Sequence, residues 1–102
     1  MVSEVEQRRD QIAALCRKYD VSRLDLFGSA LRHDFDAANS DLDFVVQFTN
    51  FTIHNAADRF LGLMIDLEDL FGRKIDLVSY RAIKNPYFKQ VVDQTRVNLY
   101  AA

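Results

Sequence analysis

Between His54 and Gly72 the apolar residues Ala56, Phe60, Leu63, Met64, Leu67, Leu70 and Phe71 fall at i, i+4, i+7, i+8, i+11, i+14 and i+15. On a helix of 3.6 residues per turn that spacing makes one broad stripe, which must be buried against something. The stripe is read as core packing, with a partner surface as the alternative, and not as a cofactor box. Gly72 ends the helix as a C-cap glycine does. Short apolar strands flank it. Leu42 to Phe48 precedes it with Phe44, Val45 and Val46 at its centre, and Lys74 to Ser79 follows.

The remaining pattern fits around this unit. Residues 4–19 carry a stripe through Val5, Ile12, Leu15, Cys16 and Tyr19, a helix that Ser3 and Glu6 could close with a capping box. Ser22 to Phe27 reads as a strand stopped by Gly28, and His33 to Ser40 as a polar, turn-prone loop. Pro86 opens a last helix of about nine residues, since proline is tolerated in a first turn. Arg96 to Tyr100 is either a closing edge strand or a frayed helix end. The expected fold is a mixed α/β (α+β) architecture in the order α-β-β-α-β-α-β, a small mixed sheet with helices packed on it.

At 102 residues the chain is expected to be one domain, 1–102. Apolar residues are 49% of it, enough for a compact core. Net charge is −2 with both signs interspersed, so direct nucleic-acid binding is not expected, although a local basic groove stays open. The single cysteine, Cys16, cannot form an internal disulfide, and its place on an apolar stripe favours burial over redox or nucleophilic chemistry. The N-terminal stretch is charged and polar, unlike a signal peptide, and no apolar run approaches the roughly 20 residues that span a bilayer. A soluble, cytoplasmic protein is expected, without membrane association.

Three features carry chemistry. Gly28-Ser29 follows a strand directly, and a glycine there lets the backbone turn sharply while a phosphate approaches. The N–H groups of the following turn would face that anion, Ser29 adds a hydroxyl, and Arg32 offers a planar phosphate-binding fork. Alone, this also fits an ordinary strand-to-helix turn. In Ser40-Asp41-Leu42-Asp43, alternation puts Asp41 and Asp43 on one face of the strand and Leu42, Phe44 and Val46 on the other. Adjacent carboxylates repel unless a cation lies between them, and Mg²⁺ is usually held by one or two carboxylates with substrate phosphates. Alone, the pair also fits a solvated strand end. Asp76 sits within Ile75-Asp76-Leu77-Val78, where an unpaired acid is costly to bury. A salt bridge to Arg73, Lys74 or Arg81 would explain it, as would a third metal ligand. Together the features supply the parts of a metal-assisted phosphoryl-type transfer.

These residues resemble the DNA polymerase β-like nucleotidyltransferase superfamily. Leu26-Phe27-Gly28-Ser29-Ala30-Leu31-Arg32 and Ser40-Asp41-Leu42-Asp43-Phe44-Val45-Val46 are most similar to its minimal nucleotidyltransferase (MNT) branch. Lys74-Ile75-Asp76-Leu77-Val78 and Val97-Asn98-Leu99-Tyr100 extend the resemblance over most of the chain. One departure is His33, where the MNT pattern usually has glycine. The resemblance implies two Mg²⁺ ions, held by Asp41 and Asp43 with Asp76 on the second, and ATP as substrate. Gly28 and Ser29 would hold the β/γ-phosphates, with Arg32 and Ser40 also in the nucleotide site. Asp76 would help deprotonate the acceptor hydroxyl, and in-line attack on the α-phosphate would release pyrophosphate.

The resemblance also implies a partner, a HEPN-type toxin that such proteins AMPylate on a tyrosine or simply occlude. The expected function is therefore an antitoxin adenylyltransferase. A non-catalytic binding module and a small-molecule nucleotidyltransferase are the alternatives, and homo-oligomerisation stays open.

Overall fold

The computed structural model describes residues 3–28, 41–49, 52 and 54–102. The expected loop from His33 to Ser40 and the turn residues Ser29 and Arg32 lie outside these, as does the side chain of Ser3 on which the capping box rests.

The chain opens with two helical segments where one was expected: α1 (Ser3–Gln7) and α2 (Arg9–Lys18). The break falls at Arg8, whose backbone leaves helical geometry at φ −109°, ψ 15°. Its side chain supplies the reason. Arg8 Nε donates to the Leu70 carbonyl at 3.2 Å, and the guanidinium lies 6.0 Å from the Phe71 ring centroid. Turning at Arg8 satisfies a C-terminal carbonyl of another helix and still leaves Val5 and Ile12 fully buried.

The other elements follow the expected order. They are β1 (Val21–Phe27), β2 (Leu42–Phe48), α3 (Ala56–Phe71), β3 (Ile75–Ser79), α4 (Pro86–Thr95) and β4 (Val97–Ala101). Gly72 caps α3 in the left-handed region (φ 62°), its N–H donating to the Glu68 carbonyl at 2.8 Å. Asn85 caps α4, its side-chain oxygen accepting from the N–H groups of Tyr87 (2.9 Å) and Phe88 (3.3 Å). Residues 97–101 settle as strand.

Among the described residues the sheet runs β3-β2-β1-β4. β1 is antiparallel to β2 and β4, while β2 and β3 are parallel, joined through α3 as a parallel pair requires. The two faces differ. On one, Leu24, Leu26, Leu42, Phe44, Val46, Ile75 and Leu77 meet Ile12 and Cys16 of α2 and Leu63, Leu67 and Phe71 of α3. The expected helical stripe is thus core. On the other face, Phe27 and Val45 pack with Val92 of α4, joined by Val78, Tyr80 and Ile83. Arg59 ties strand ends together, donating to the carbonyls of Tyr19 (2.9 Å), Asp20 (2.7 Å) and Thr49 (2.7 Å). No described helix is long and apolar enough to cross a membrane.

Candidate active site

The side of the sheet that carries α4 also carries the acids. Asp43 pairs with Phe27 of β1 on one side and with Asp76 of β3 on the other. Paired residues in a parallel ladder point to the same face, and neighbouring strands are about 4.8 Å apart. Asp43 and Asp76 therefore stand side by side. Asp41 lies two residues before Asp43, at the mouth of β2, and is exposed. Opposite them, Leu42, Phe44, Ile75 and Leu77 are buried in the core, which fixes the strand registers and keeps every acid on the outer face.

Gly28 completes the corner. Its φ of +75° is left-handed, and a Cβ built there would stand 3.2 Å from Asp43 Cγ and 3.3 Å from Asp43 Cβ. Ordinary carbon contacts lie at about 3.5–4.0 Å. The carboxylate of Asp43 thus occupies the space that any larger residue at position 28 would need. Of the expected site residues, the fold gathers Gly28, Asp43 and Asp76, with Asp41 at the rim. Ser29, Arg32 and Ser40 lie outside the described residues.

Asp76 is exposed on its strand and, among the described residues, forms no ion pair; Arg73 turns instead to Glu4 at 3.5 Å. Among the described residues no three His, Cys, Asp or Glu side chains converge closely enough to hold one ion between them. The arrangement is open: two adjacent carboxylates with a third at the mouth. That suits a hard cation whose remaining ligands are substrate phosphates and water, the usual mode for Mg²⁺, and every donor here is a carboxylate oxygen.

The sequence reading did not single out Asp25. It lies in β1 at 1% exposure, between Leu24 and Leu26 of the core. Arg23 Nε donates to it at 2.8 Å, Asn98 Nδ2 at 2.9 Å and an Arg96 guanidinium nitrogen at 3.3 Å. Arg96 also lies 4.8 Å from the Tyr80 ring centroid, and the Tyr80 hydroxyl donates to Asp93 at 2.9 Å. This network binds α4 and β4 to β1 beside the acids. The signal was present, an acid inside an apolar strand, but two of its three partners, Arg96 and Asn98, lie more than 70 positions away.

Two other features stand apart from the acids. A groove of about 380 Å³ between α2 and α3, lined by Gln11, Leu15, Asp66 and Asp69 among others, lies on the opposite side of the sheet. Cys16 is buried there in the core, and burial pushes its thiol up to about 12 against a smaller lowering by Arg17, which leaves it unreactive at neutral pH.

Comparison with known proteins agrees with this geometry. The chain is 35% identical over 96 residues to "Putative protein adenylyltransferase MJ0128" of Methanocaldococcus jannaschii, covering 91% of this chain and 92% of that protein. A solved "putative minimal nucleotidyltransferase" superposes with a TM-score of 0.70 at 29% identity, covering 90% of this chain and 89% of that one. A toxin–antitoxin structure with AMP-PNP superposes at 0.70 with 23% identity, over 92% of this chain and 73% of that one. A tri-AMPylated HEPN toxin of Shewanella oneidensis in complex with MNT antitoxin superposes at 0.66 with 19% identity, over 96% and 73%. These last two share the fold. The family described as "Polymerase beta, Nucleotidyltransferase" matches residues 10–102, and with the acids on the outer face of the sheet and Gly28 against Asp43, this chain belongs to that nucleotidyltransferase family.

Proposed function

We propose that residues 1–102 act as a single nucleotidyltransferase domain that moves AMP from ATP to a hydroxyl of a partner protein, a tyrosine of a HEPN-type toxin, and so serves in the cytoplasm as an antitoxin. The observation that carries this reading is the register pair of Asp43 and Asp76, with Asp43 wedged against Gly28. Two acids side by side on an outer face repel each other, and a bound cation would relieve that repulsion. The names of the relatives support protein adenylylation, the AMP-PNP complex supports ATP, and the AMPylated HEPN complex supports the partner.

In this reading Asp41, Asp43 and Asp76 would hold Mg²⁺, two ions in the full site, which neutralise phosphate charge and polarise the α-phosphate when bound. Gly28 lets the triphosphate approach the backbone, with Ser29, Arg32 and Ser40 completing the nucleotide site. The acceptor oxygen attacks the α-phosphorus in line, and its proton passes to the Asp76 carboxylate and on to water. A phosphorus–oxygen bond forms to the acceptor, the bond to the β-phosphate breaks, and pyrophosphate leaves.

The test is incubation of the protein and its co-expressed partner with ATP and Mg²⁺, followed by mass spectrometry of the partner. One or more added AMP units are expected, absent in Asp41→Asn/Asp43→Asn. Losing the metal ligands should cost several kcal/mol of transition-state stabilisation, orders of magnitude in rate. If the double variant still protects cells while no modified partner forms with wild type, the chain neutralises by binding alone.

A further inference from the structure

Helix α4 leaves unburied what most helices cover. Tyr87 is 80% exposed and Val91 54%, and they stand one helical turn apart, so their side chains form one continuous outward strip. Phe88 is 38% exposed and bridges inward, its ring meeting Phe27 edge-on at a centroid distance of 5.9 Å. Phe27 precedes Gly28 and pairs with Asp43. The strip is therefore continuous with the catalytic corner. α3 has an exposed apolar pair too, Leu61 and Ile65, but α3 packs on the opposite face of the sheet, away from the acids.

The charge around this strip departs from that of the rest of the chain. Residues 81–92 contain three cations, Arg81, Lys84 and Lys89, and no carboxylate, in a protein of net charge −2. The nearest acid along the helix, Asp93, is engaged by the Tyr80 hydroxyl at 2.9 Å and by Arg96 at 3.5 Å. Lys84 and Lys89 are exposed on the segment that carries this apolar, aromatic strip, the Lys89 ammonium 5.4 Å from the Tyr80 ring centroid, and that is the makeup of a protein-recognition patch: an apolar centre for contact area, and charge for steering and register.

We propose that the α4 face of Tyr87, Phe88 and Val91 is the acceptor-docking surface of the enzyme, and that it takes a polypeptide segment whose modified hydroxyl is flanked by apolar and acidic residues. This rests on the reading of the site as a protein adenylyltransferase. Polypeptide fits better than single-stranded nucleic acid because Val91 extends the strip with an aliphatic surface that offers no base a stacking partner.

The test uses fluorescence anisotropy with three labelled probes. They are a heptapeptide Glu-Glu-Leu-Tyr-Leu-Glu-Glu, the same peptide with lysine for glutamate, and oligouridylate RNA. The acidic peptide should bind about tenfold or more tightly than the basic one and should weaken as salt rises. Tyr87→Ser/Val91→Glu, and separately Lys84→Glu, should each weaken it about tenfold. All three positions are exposed, so melting temperatures should match wild type. MgATP affinity, measured by calorimetry, should not change.

Unchanged binding of the acidic peptide in both variants overturns the proposal, as does equal binding of the two peptides or tighter binding of the RNA. A loss of MgATP affinity in the variants would make α4 part of the nucleotide site and overturn it as well. Anisotropy needs no catalysis, so the two readings fail separately. Asp41→Asn/Asp43→Asn should bind the peptide as wild type does, whatever becomes of AMP transfer.

Discussion

Replacing Gly28 with alanine tests the site and the fold at once. At φ +75° an alanine pays the left-handed penalty, about 1–2 kcal/mol. Its Cβ also arrives 3.2 Å from Asp43 Cγ, nearer still to Oδ2, so the carboxylate must rotate away. An off-rotamer side chain costs about 0.5–1.5 kcal/mol. The sum is about 2–3 kcal/mol, which at about 4–8 °C per kcal/mol lowers Tm by roughly 10–20 °C. The two parts can be separated in a double-mutant cycle. Asp43→Ala removes Cγ and both oxygens, so Gly28→Ala made in that background should cost about 1 kcal/mol less than in wild type. Calorimetry supplies the functional half: Gly28→Ala should bind MgATP more weakly than wild type even at temperatures where it is fully folded. A variant that melts with wild type, or costs as much with Asp43 absent as present, would refute the steric reasoning.

Four further outcomes are expected. Calorimetric ATP affinity should fall sharply on adding a chelator and fall again in Asp41→Asn or Asp43→Asn, because the adjacent acids need a cation before they can accept a triphosphate. Asp25→Ala should cost about 3–5 kcal/mol in urea unfolding, since it strands Arg96 and Asn98 without their buried partner; an unchanged midpoint would show the network to be ornamental. Leu67→Ala should cost about 2–5 kcal/mol by opening a cavity at a fully buried position, read as a lower Tm. The hydrogen bond from Tyr19 to Asp66 (2.6 Å) and the Lys18 ammonium (2.9 Å) hold the Asp66 carboxyl below its ordinary 3.8; a depressed acid stabilises the fold above its unfolded pKa and loses that contribution as pH falls through the folded one, so melts of wild type and Asp66→Asn should converge below about pH 4.

The order of elements was legible because each carries its own local period: the 3.6-residue stripe of α3, the alternation in β2, and the glycine and proline that stop or start a helix. What could not be read depends on partners far along the chain. The break at Arg8 exists because its side chain caps Leu70, 62 positions away, and no periodicity in residues 4–19 announces that. Residues 96–100 were ambiguous between strand and helix because the edge pairing with β1 decides it. For the site, alternation alone put Asp41 and Asp43 on one face. That Asp76 is the neighbour of Asp43 is a matter of register between two strands, fixed by the burial of Phe44 opposite Leu77.

Asp25 and Asp76 show how the same sequence signal can have two meanings. Each is a lone acid inside a short apolar strand, and each sits on the outer face of the sheet. In water the two would be indistinguishable; the fold separates them by what it supplies. Asp25 is buried, and two guanidinium groups and an amide converge on it, so its charge is used up in joining β4 and α4 to β1. Asp76 is exposed, draws no cation from among the described residues, and has another carboxylate as its ladder partner. Like charges on paired strands cost stability, so the ladder pair of Asp43 and Asp76 is a cost that the fold carries. The repulsion between the paired carboxylates of Asp43 and Asp76 is what a metal–nucleotide complex would relieve, and the buried network at Asp25 holds β1, and with it Phe27 and Gly28, in register beside them.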